Sequence, residues 1–111
     1  MYTSYFSKSA KHPNAVSIAG KAPHWYTGRQ YKILAPKYHF FKKYKIDGDK
    51  LSYTQSFYNE VLNKLDPQKV LQDLGPHAIL LCYEKPGDFC HRRLVADWIL
   101  DKIGITIPEL E

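Results

Sequence analysis

The sequence predicts a single three-layer α/β domain, spanning residues 1–111, in which helices flank a small and mostly parallel sheet. Three observations support this fold class. Short β-prone segments alternate along the chain with segments of helical periodicity. The run from Ala78 to Tyr83 is apolar throughout, as in a strand that is covered on both faces. A chain of 111 residues, 44% of them apolar, can bury a core without disulfides or a structural metal.

The first half of the chain predicts short elements separated by irregular segments. The aromatic run from Tyr2 to Phe6 favours a first strand, and Ala15 to Ala19 predicts a second, buried strand that ends at Gly20. The segment from Lys21 to Pro36 contains two prolines and a glycine, and it predicts a long ordered loop. A short helix follows over Lys37 to Tyr44, and the next Asp-Gly-Asp sequence ends it.

The second half shows clearer patterns. Ser52 is a good N-cap for a helix whose apolar residues recur at helical spacing, and Asp66 caps a further helix that begins with a proline. His77 to Tyr83 predicts the central strand. His91 to Ile103 predicts the last helix, which ends at a glycine, and Ile105 to Ile107 predicts a short last strand.

Composition limits the classes of function. No stretch reaches the roughly 20 apolar residues of a membrane span, and the amino terminus lacks the pattern of a secretory signal, so we expect a cytoplasmic protein. The two cysteines, Cys82 and Cys90, fit that compartment as reduced thiols, with a disulfide between them as the alternative. The net charge of +5 is compatible with phosphorylated or nucleic-acid partners, and equally with a soluble surface of ordinary charge.

The crossing from the central strand to the last helix carries the most concentrated chemistry. In parallel sheets, ligands bind beyond the carboxyl ends of the strands, where this segment lies. Glu84 would project from the strand end as a general base, a nucleophile or an acceptor for a ribose hydroxyl, or it would be only a surface partner of Lys85. Gly87 would allow a tight turn and close approach of the backbone to a ligand.

The start of the last helix favours an anion. Its unpaired N–H groups and dipole, together with His91 and Arg92, would lower the pKa of the Cys90 thiol or would hold a bound phosphate. Cys90 is therefore either a reactive thiol or a packed one, and Cys82 is expected to be an inert, buried residue of the strand. Because adjacent helical side chains point to different faces, we expect only one of Arg92 and Arg93 to reach the site.

The spacing of these residues excludes several known sites. A phosphatase or rhodanese loop needs five residues between its cysteine and its arginine, and a P-loop needs more glycines than this segment has. A Cys-x₇-Cys-His sequence is not a known structural zinc spacing, and zinc would need a fourth ligand from His12, His24, His39 or His77. We therefore expect no metal and no other cofactor.

A second group of residues is aromatic and basic. Rings interleaved with cations can stack on nucleic-acid bases while contacting phosphates, or they can supply core to a segment that is poor in leucine and valine. Trp25 and Tyr26 are the candidate ligand-binding residues of this group, together with Lys21. Its further members are Arg29, Tyr31, Lys32, Lys37, Tyr38, Phe40, Phe41, Lys42 and Lys43.

Three segments resemble one family. Met1 to Phe6, Val16 to Pro23, and Leu81 to Arg93 with its Cys-x-Glu and Cys-His-Arg elements are similar to the family called domain of unknown function 488 (DUF488). The resemblance implies an α/β fold and supports the strand-to-helix crossing as the site, and it implies no particular reaction. Larger members carry an arginine pair after the second strand. Here the matching residues are Ala19, Gly20 and Lys21, so an anion contact there would fall to Lys21 and the Gly20 backbone.

The sequence thus favours a small enzyme, or an enzyme-like pocket, that acts on a phosphorylated, nucleotide-like or nucleic-acid ligand. Glu84, Cys90 and His91 are the candidate catalytic residues. Two alternatives remain open at this point. One is a non-catalytic module that binds nucleic acid or protein through the basic aromatic segment. The other is a thiol-dependent enzyme with Cys90 as its nucleophile.

Overall fold

A computed structural model describes residues 1–111 and contains one parallel four-stranded sheet with helices packed around it. The strands are Tyr2–Tyr5 (β1), Ala15–Ser17 (β2), Arg29–Gln30 (β3) and Ile79–Cys82 (β4). The helices are Phe6–Ser9 (α1), Tyr38–Asp47 (α2), Lys50–Glu60 (α3), Pro67–Leu74 (α4) and His91–Ile103 (α5), with 3₁₀ turns at Lys32–Leu34 and Leu62–Lys64. This architecture confirms the predicted α/β class. None of the helices combines the length and apolar character that crossing a bilayer requires.

The predicted central strand is inside the sheet, whose order is β1-β4-β2-β3. Leu80 of β4 and Val16 of β2 face the larger core, to which α2, α3, α4 and α5 contribute their buried side chains. Ile79 and Leu81 face the opposite side, where Phe6 and Tyr26 cover the sheet. Both faces of β4 are therefore buried, which explains why its sequence is continuously apolar rather than alternating.

The structure differs from the prediction at β3 and at the start of α3. The segment predicted as a loop contains β3, which pairs with β2 through only two register positions and is exposed at the sheet edge. A two-residue strand made of Arg29 and Gln30 has no apolar pattern by which a sequence could reveal it. The helix predicted to be capped by Ser52 starts earlier, because Asp49 accepts the Ser52 backbone N–H at 3.1 Å and is the N-cap.

The predicted last strand is absent as a regular element. Ile107 is buried in the larger core, but the pairing with β1 falls on the residues that follow it. The Thr3 N–H donates to the carbonyl of Pro108 at 3.0 Å, and the Leu110 N–H donates to the Thr3 carbonyl at 2.8 Å. Pro108 has no N–H that could donate the next hydrogen bond to β1. The pairing is therefore limited to a single bridge, between Thr3 and Glu109.

A buried ion pair fixes this C-terminal segment against the domain. The Arg92 side chain is 1% exposed, and its guanidinium donates to both carboxylate oxygens of Glu109, at 3.0 and 2.9 Å. The Thr3 hydroxyl also donates to Glu109, at 2.6 Å. Burial alone would raise the pKa of Glu109, but the hydrogen bonds from Arg92 and Thr3 outweigh it, so the pKa lies below its ordinary value.

We predict that Glu109→Gln lowers the free energy of unfolding at neutral pH by about 3 kcal/mol, because it leaves the buried Arg92 charge without its counter-ion. The pKa of Glu109 is lower in the folded than in the unfolded protein. The ion pair therefore contributes fully to the free energy of unfolding above the ordinary carboxyl pKa of about 4.3, and this contribution is lost as the pH falls from there through the folded-state pKa. The difference between wild type and variant should therefore shrink in acid. Urea unfolding over a pH series measures it.

The control is Glu60→Gln, which removes the partner of exposed His39 and should cost less than about 1 kcal/mol. Equal, small effects of the two substitutions would show that the Arg92–Glu109 pair does not hold the C-terminal segment.

Candidate functional site

A cleft of about 520 Å³ opens at the carboxyl ends of β2 and β4. Lys21 follows β2, Glu84 follows β4, Tyr38 and Lys45 belong to α2, and His91 begins α5. The Tyr83 hydroxyl donates to the carbonyl of Lys21 at 2.5 Å, so the segments that leave the two strands are joined at the mouth of the cleft. A cleft in this position is where parallel α/β sheets bind ligands.

His91 lies on the floor of the cleft in a defined protonation state. Its Nε2 is 2.8 Å from the carbonyl of Ile18, and because a carbonyl only accepts, this nitrogen carries the proton. Burial and the nearby Arg92 charge outweigh that hydrogen bond and lower the pKa of His91 to about 4. The ring is therefore neutral at physiological pH, and its unprotonated Nδ1 faces Cys90 Sγ at 3.9 Å.

The two cysteine sulfurs meet beside this nitrogen. Cys82 ends β4 and Cys90 is the N-cap of α5, both are buried, and their sulfurs are joined as a disulfide, the alternative to two reduced thiols that the sequence left open. The Cys90 side chain makes no capping hydrogen bond, so its sulfur is directed at Cys82 rather than at the helix. Arg92 Nη1 donates to Cys82 Sγ at 3.0 Å. The guanidinium of Arg92 therefore contacts Cys82, the buried strand cysteine, rather than Cys90.

Glu84 projects from the end of β4 as predicted and is half-buried. It lines the main cleft and also a smaller hollow of about 30 Å³ that is bounded by Cys90, His91 and Tyr53. Burial and the nearby Glu84 carboxylate raise the pKa of Tyr53. Glu84 thus connects the open cleft to the cysteine and histidine side chains beneath it.

The remaining predicted residues of the crossing do not line the cleft. Gly87 has a φ of 91° in an exposed turn, so glycine serves the backbone conformation there. Arg92 is buried behind Cys82, where its Nη1 also donates to the carbonyl of Glu84 at 2.7 Å. Arg93 donates to the Thr3 hydroxyl and to the Ile107 carbonyl, both at 2.8 Å. The expectation that one of the two arginines reaches the cleft is therefore wrong: Arg92 is directed toward Glu109 and the end of β4, and Arg93 toward β1 and the C-terminal segment.

The comparison with family models assigns the chain to a family. A family profile described as the active DUF488-N3 subclade, DUF488-N3a, matches residues 4–103. The chain belongs to the DUF488 family. No curated protein and no solved structure matches it. The match includes every residue of this cleft, whereas Glu109, the counter-ion of Arg92, follows the matched segment.

In this DUF488 protein, Trp25 and Tyr26 lie at the end of the sheet opposite the cleft. They line a second cavity, of about 550 Å³, at the amino ends of β2 and β4. The Tyr26 ring packs on Phe6, and its hydroxyl donates to the Arg29 carbonyl at 2.8 Å. The structure therefore divides the predicted ligand-binding residues between two ends of the sheet, and it places only Lys21 beside Glu84, Cys90 and His91.

Sequence reasoning missed Lys45 as a residue of the cleft. Tyr38, Phe41 and Lys45 are spaced at i, i+3 and i+7, so they share one face of α2, and this face lines the cleft. The spacing is visible in the sequence. The predicted helix ended at Tyr44, however, and so excluded Lys45, whereas α2 extends to Asp47.

Proposed function

We propose that this DUF488 protein is a small enzyme that binds an anionic, nucleotide-like ligand in the cleft and acts on it with the carboxylate of Glu84. One observation carries the proposal: the cleft combines two lysines, Lys21 and Lys45, with a single acidic side chain at the carboxyl ends of two parallel strands. Lysines at the rim attract phosphate, and a lone carboxylate among them is suited to chemistry rather than to charge balance.

Exposed aromatic rings support a nucleotide-like ligand in particular. Tyr38 is 74% exposed at the edge of the cleft, and Phe41 lies one helical turn away on the same face. Lys45 Nζ is 5.1 Å from the centre of the Phe41 ring. A ring and a cation at this separation can contact a base and a phosphate of one ligand, and base stacking contributes about 1–3 kcal/mol per base.

The start of α5 supports the binding of an anion. The first N–H groups of a helix have no carbonyl partner within it, and the helix dipole adds positive potential at this end. Cys90 and His91 line the small hollow that Glu84 and Lys45 also line, so the positive end of α5 is next to the proposed ligand space. The potentials of the helix and of the two lysines therefore act on the same ligand.

The chemistry proposed for Glu84 is attack on, or stabilisation of, the anomeric carbon of a nucleoside, with cleavage or transfer of the glycosidic bond. This step rests on analogy with the carboxylates of glycoside-cleaving enzymes. The description of the matching subclade as active supports catalysis over simple binding. We place the reaction in the cytoplasm, a reducing compartment that favours the thiol form of Cys82 and Cys90 over the disulfide.

A thiol-dependent enzyme is the second candidate. The observation that favours it is the unprotonated His91 Nδ1, which lies 3.9 Å from Cys90 Sγ and can accept the proton of this thiol when the disulfide to Cys82 is reduced. A nucleic-acid-binding module receives less support, because the basic aromatic segment forms no single face. Trp25 lies at the amino-end cavity, Phe40 is in the core, and Lys43 is paired with Asp47 at 2.7 Å.

One prediction of the proposed function concerns ligand binding. At low salt, we expect one of the four common nucleoside monophosphates to bind in isothermal titration calorimetry, and the double substitution Lys21→Gln with Lys45→Gln to weaken it at least about tenfold, roughly 1.4 kcal/mol. The loss should shrink as salt is added, because the contacts are charge-based. Lys42→Gln is the matched control, since Lys42 is exposed on α2 but does not line the cleft. Binding that is unaffected by the double substitution would refute this ligand class.

A further prediction of the proposed function concerns turnover. Chromatography with mass detection should find free base released from the bound nucleotide, and Glu84→Gln should reduce the rate at least about a hundredfold while affinity changes little. The substitution keeps the shape and removes the charge of the side chain. Asp88→Asn, an exposed carboxylate of the same loop, should behave like wild type. Full turnover in Glu84→Gln, or no turnover in wild type, would rule out the catalytic role.

A further inference from the structure

We propose that Cys82, Cys90 and His91 form a binding site for a single thiophilic divalent cation such as Zn²⁺ once a cellular dithiol, itself oxidised to a disulfide, has reduced the bond between the two cysteines. Their three ligand atoms, the two sulfurs and a histidine nitrogen, lie within 4.8 Å of one another, and all three residues are buried. Two thiolates and an imidazole are ligands that zinc prefers, in contrast to magnesium or calcium. The site does not depend on the identity of the ligand proposed for the cleft.

The orientation of His91 matches that of a metal ligand. Histidines that bind metals donate their second ring N–H to a carbonyl or carboxylate, which fixes the tautomer and aims the other nitrogen at the ion. His91 Nε2 donates to the Ile18 carbonyl at 2.8 Å, so Nδ1 is left unprotonated and directed at the sulfurs. The distance of 3.9 Å from this nitrogen to Cys90 Sγ is close to the roughly 3.6 Å expected between two ligands of a tetrahedral zinc ion.

The backbone positions of the cysteines also fit two ligands of one ion. The Cα atoms of Cys82 and Cys90 are 7.1 Å apart, whereas relaxed disulfides usually span about 4.4–6.8 Å. A zinc ion would hold the sulfurs about 3.8 Å apart, which allows the longer Cα separation. One cysteine is at the end of a strand and the other at the cap of a helix, so both are held by regular structure.

The surrounding charges balance such a site. Two thiolates neutralise a divalent cation, and the Arg92 guanidinium, 3.0 Å from Cys82 Sγ, stabilises thiolate charge by a hydrogen bond. The charge of Arg92 is in turn matched by Glu109 at 2.9 Å. The whole buried group of metal, thiolates, Arg92 and Glu109 is therefore neutral, which removes the main energetic objection to placing charges there.

The fourth coordination position would face the ligand space. Cys82 and His91 line the main cleft, Cys90 and His91 line the adjoining hollow, and Glu84 borders both. A water molecule can therefore complete a tetrahedron, as in zinc sites with three protein ligands and one open position. The sequence predicted no metal because a fourth protein ligand, a further histidine, was thought to be needed. A site with one position open to the cleft needs only three protein ligands.

The test is titration of the reduced, chelator-treated protein with Co²⁺ alone, followed by competition with Zn²⁺. We expect one equivalent of Co²⁺ per chain, with a thiolate-to-cobalt charge-transfer band and the intense visible absorption of tetrahedral cobalt. Cys90→Ser and His91→Gln should each weaken binding about a hundredfold or more. His24→Gln, which changes an exposed histidine outside the cleft, should have no effect. Thermal melting of each variant shows whether a loss of Co²⁺ binding is due to unfolding. If one of these variants does not fold, Cys82→Ser tests a third ligand independently.

The proposal is overturned if the folded, reduced wild type takes up no stoichiometric Co²⁺ or Zn²⁺. It is also overturned if the folded Cys82→Ser and Cys90→Ser variants bind the ion as tightly as wild type. The double substitution Lys21→Gln with Lys45→Gln leaves all three ligands intact and should retain full metal binding. Loss of nucleotide binding in that variant and loss of metal binding in the cysteine variants are thus separate results.

Discussion

The buried guanidinium of Arg92 is the interaction on which the arrangement of the site depends. It contacts the Glu109 carboxylate, the Cys82 sulfur and the Glu84 carbonyl, which belong to the C-terminal segment, to the end of β4 and to the start of the crossing. A buried charge without its partner costs several kcal/mol, so these three groups must stay where the guanidinium can reach them. As a result, the C-terminal segment packs beside β1, and Cys82 presents its sulfur to Cys90.

The parts of the fold that follow from local patterns were predictable. The apolar run of β4, the proline after Asp66 and the glycine that ends α5 are each decided by backbone chemistry within a few residues. The location of the site was predictable for a related reason. Parallel strands bring their carboxyl ends to one edge, so Lys21, Glu84 and His91 meet there once the sheet is known.

The parts that depend on distant partners were not predictable. Two adjacent arginines look alike in sequence, and Arg92 is drawn away from the cleft by Glu109, 17 residues further along the chain. Trp25 was grouped with Tyr38 because both belong to one aromatic segment, yet β3 and the turns that follow it separate them to opposite ends of the sheet. The contact of Cys82 with Arg92 was missed because a cysteine in an apolar strand resembles a packing residue until its neighbours in space are known.

The chemistry of the cleft depends on a neutral His91 whose Nδ1 faces the cysteine sulfurs. Long-range proton–nitrogen correlation spectroscopy of the histidine rings in the reduced protein measures this tautomer. We expect an Nε2–H tautomer for His91 that persists from about pH 8 to about pH 5 and takes up a proton only near pH 4, since burial depresses its pKa. An Nδ1–H tautomer, or titration of His91 near the ordinary pKa of about 6.5, would contradict it.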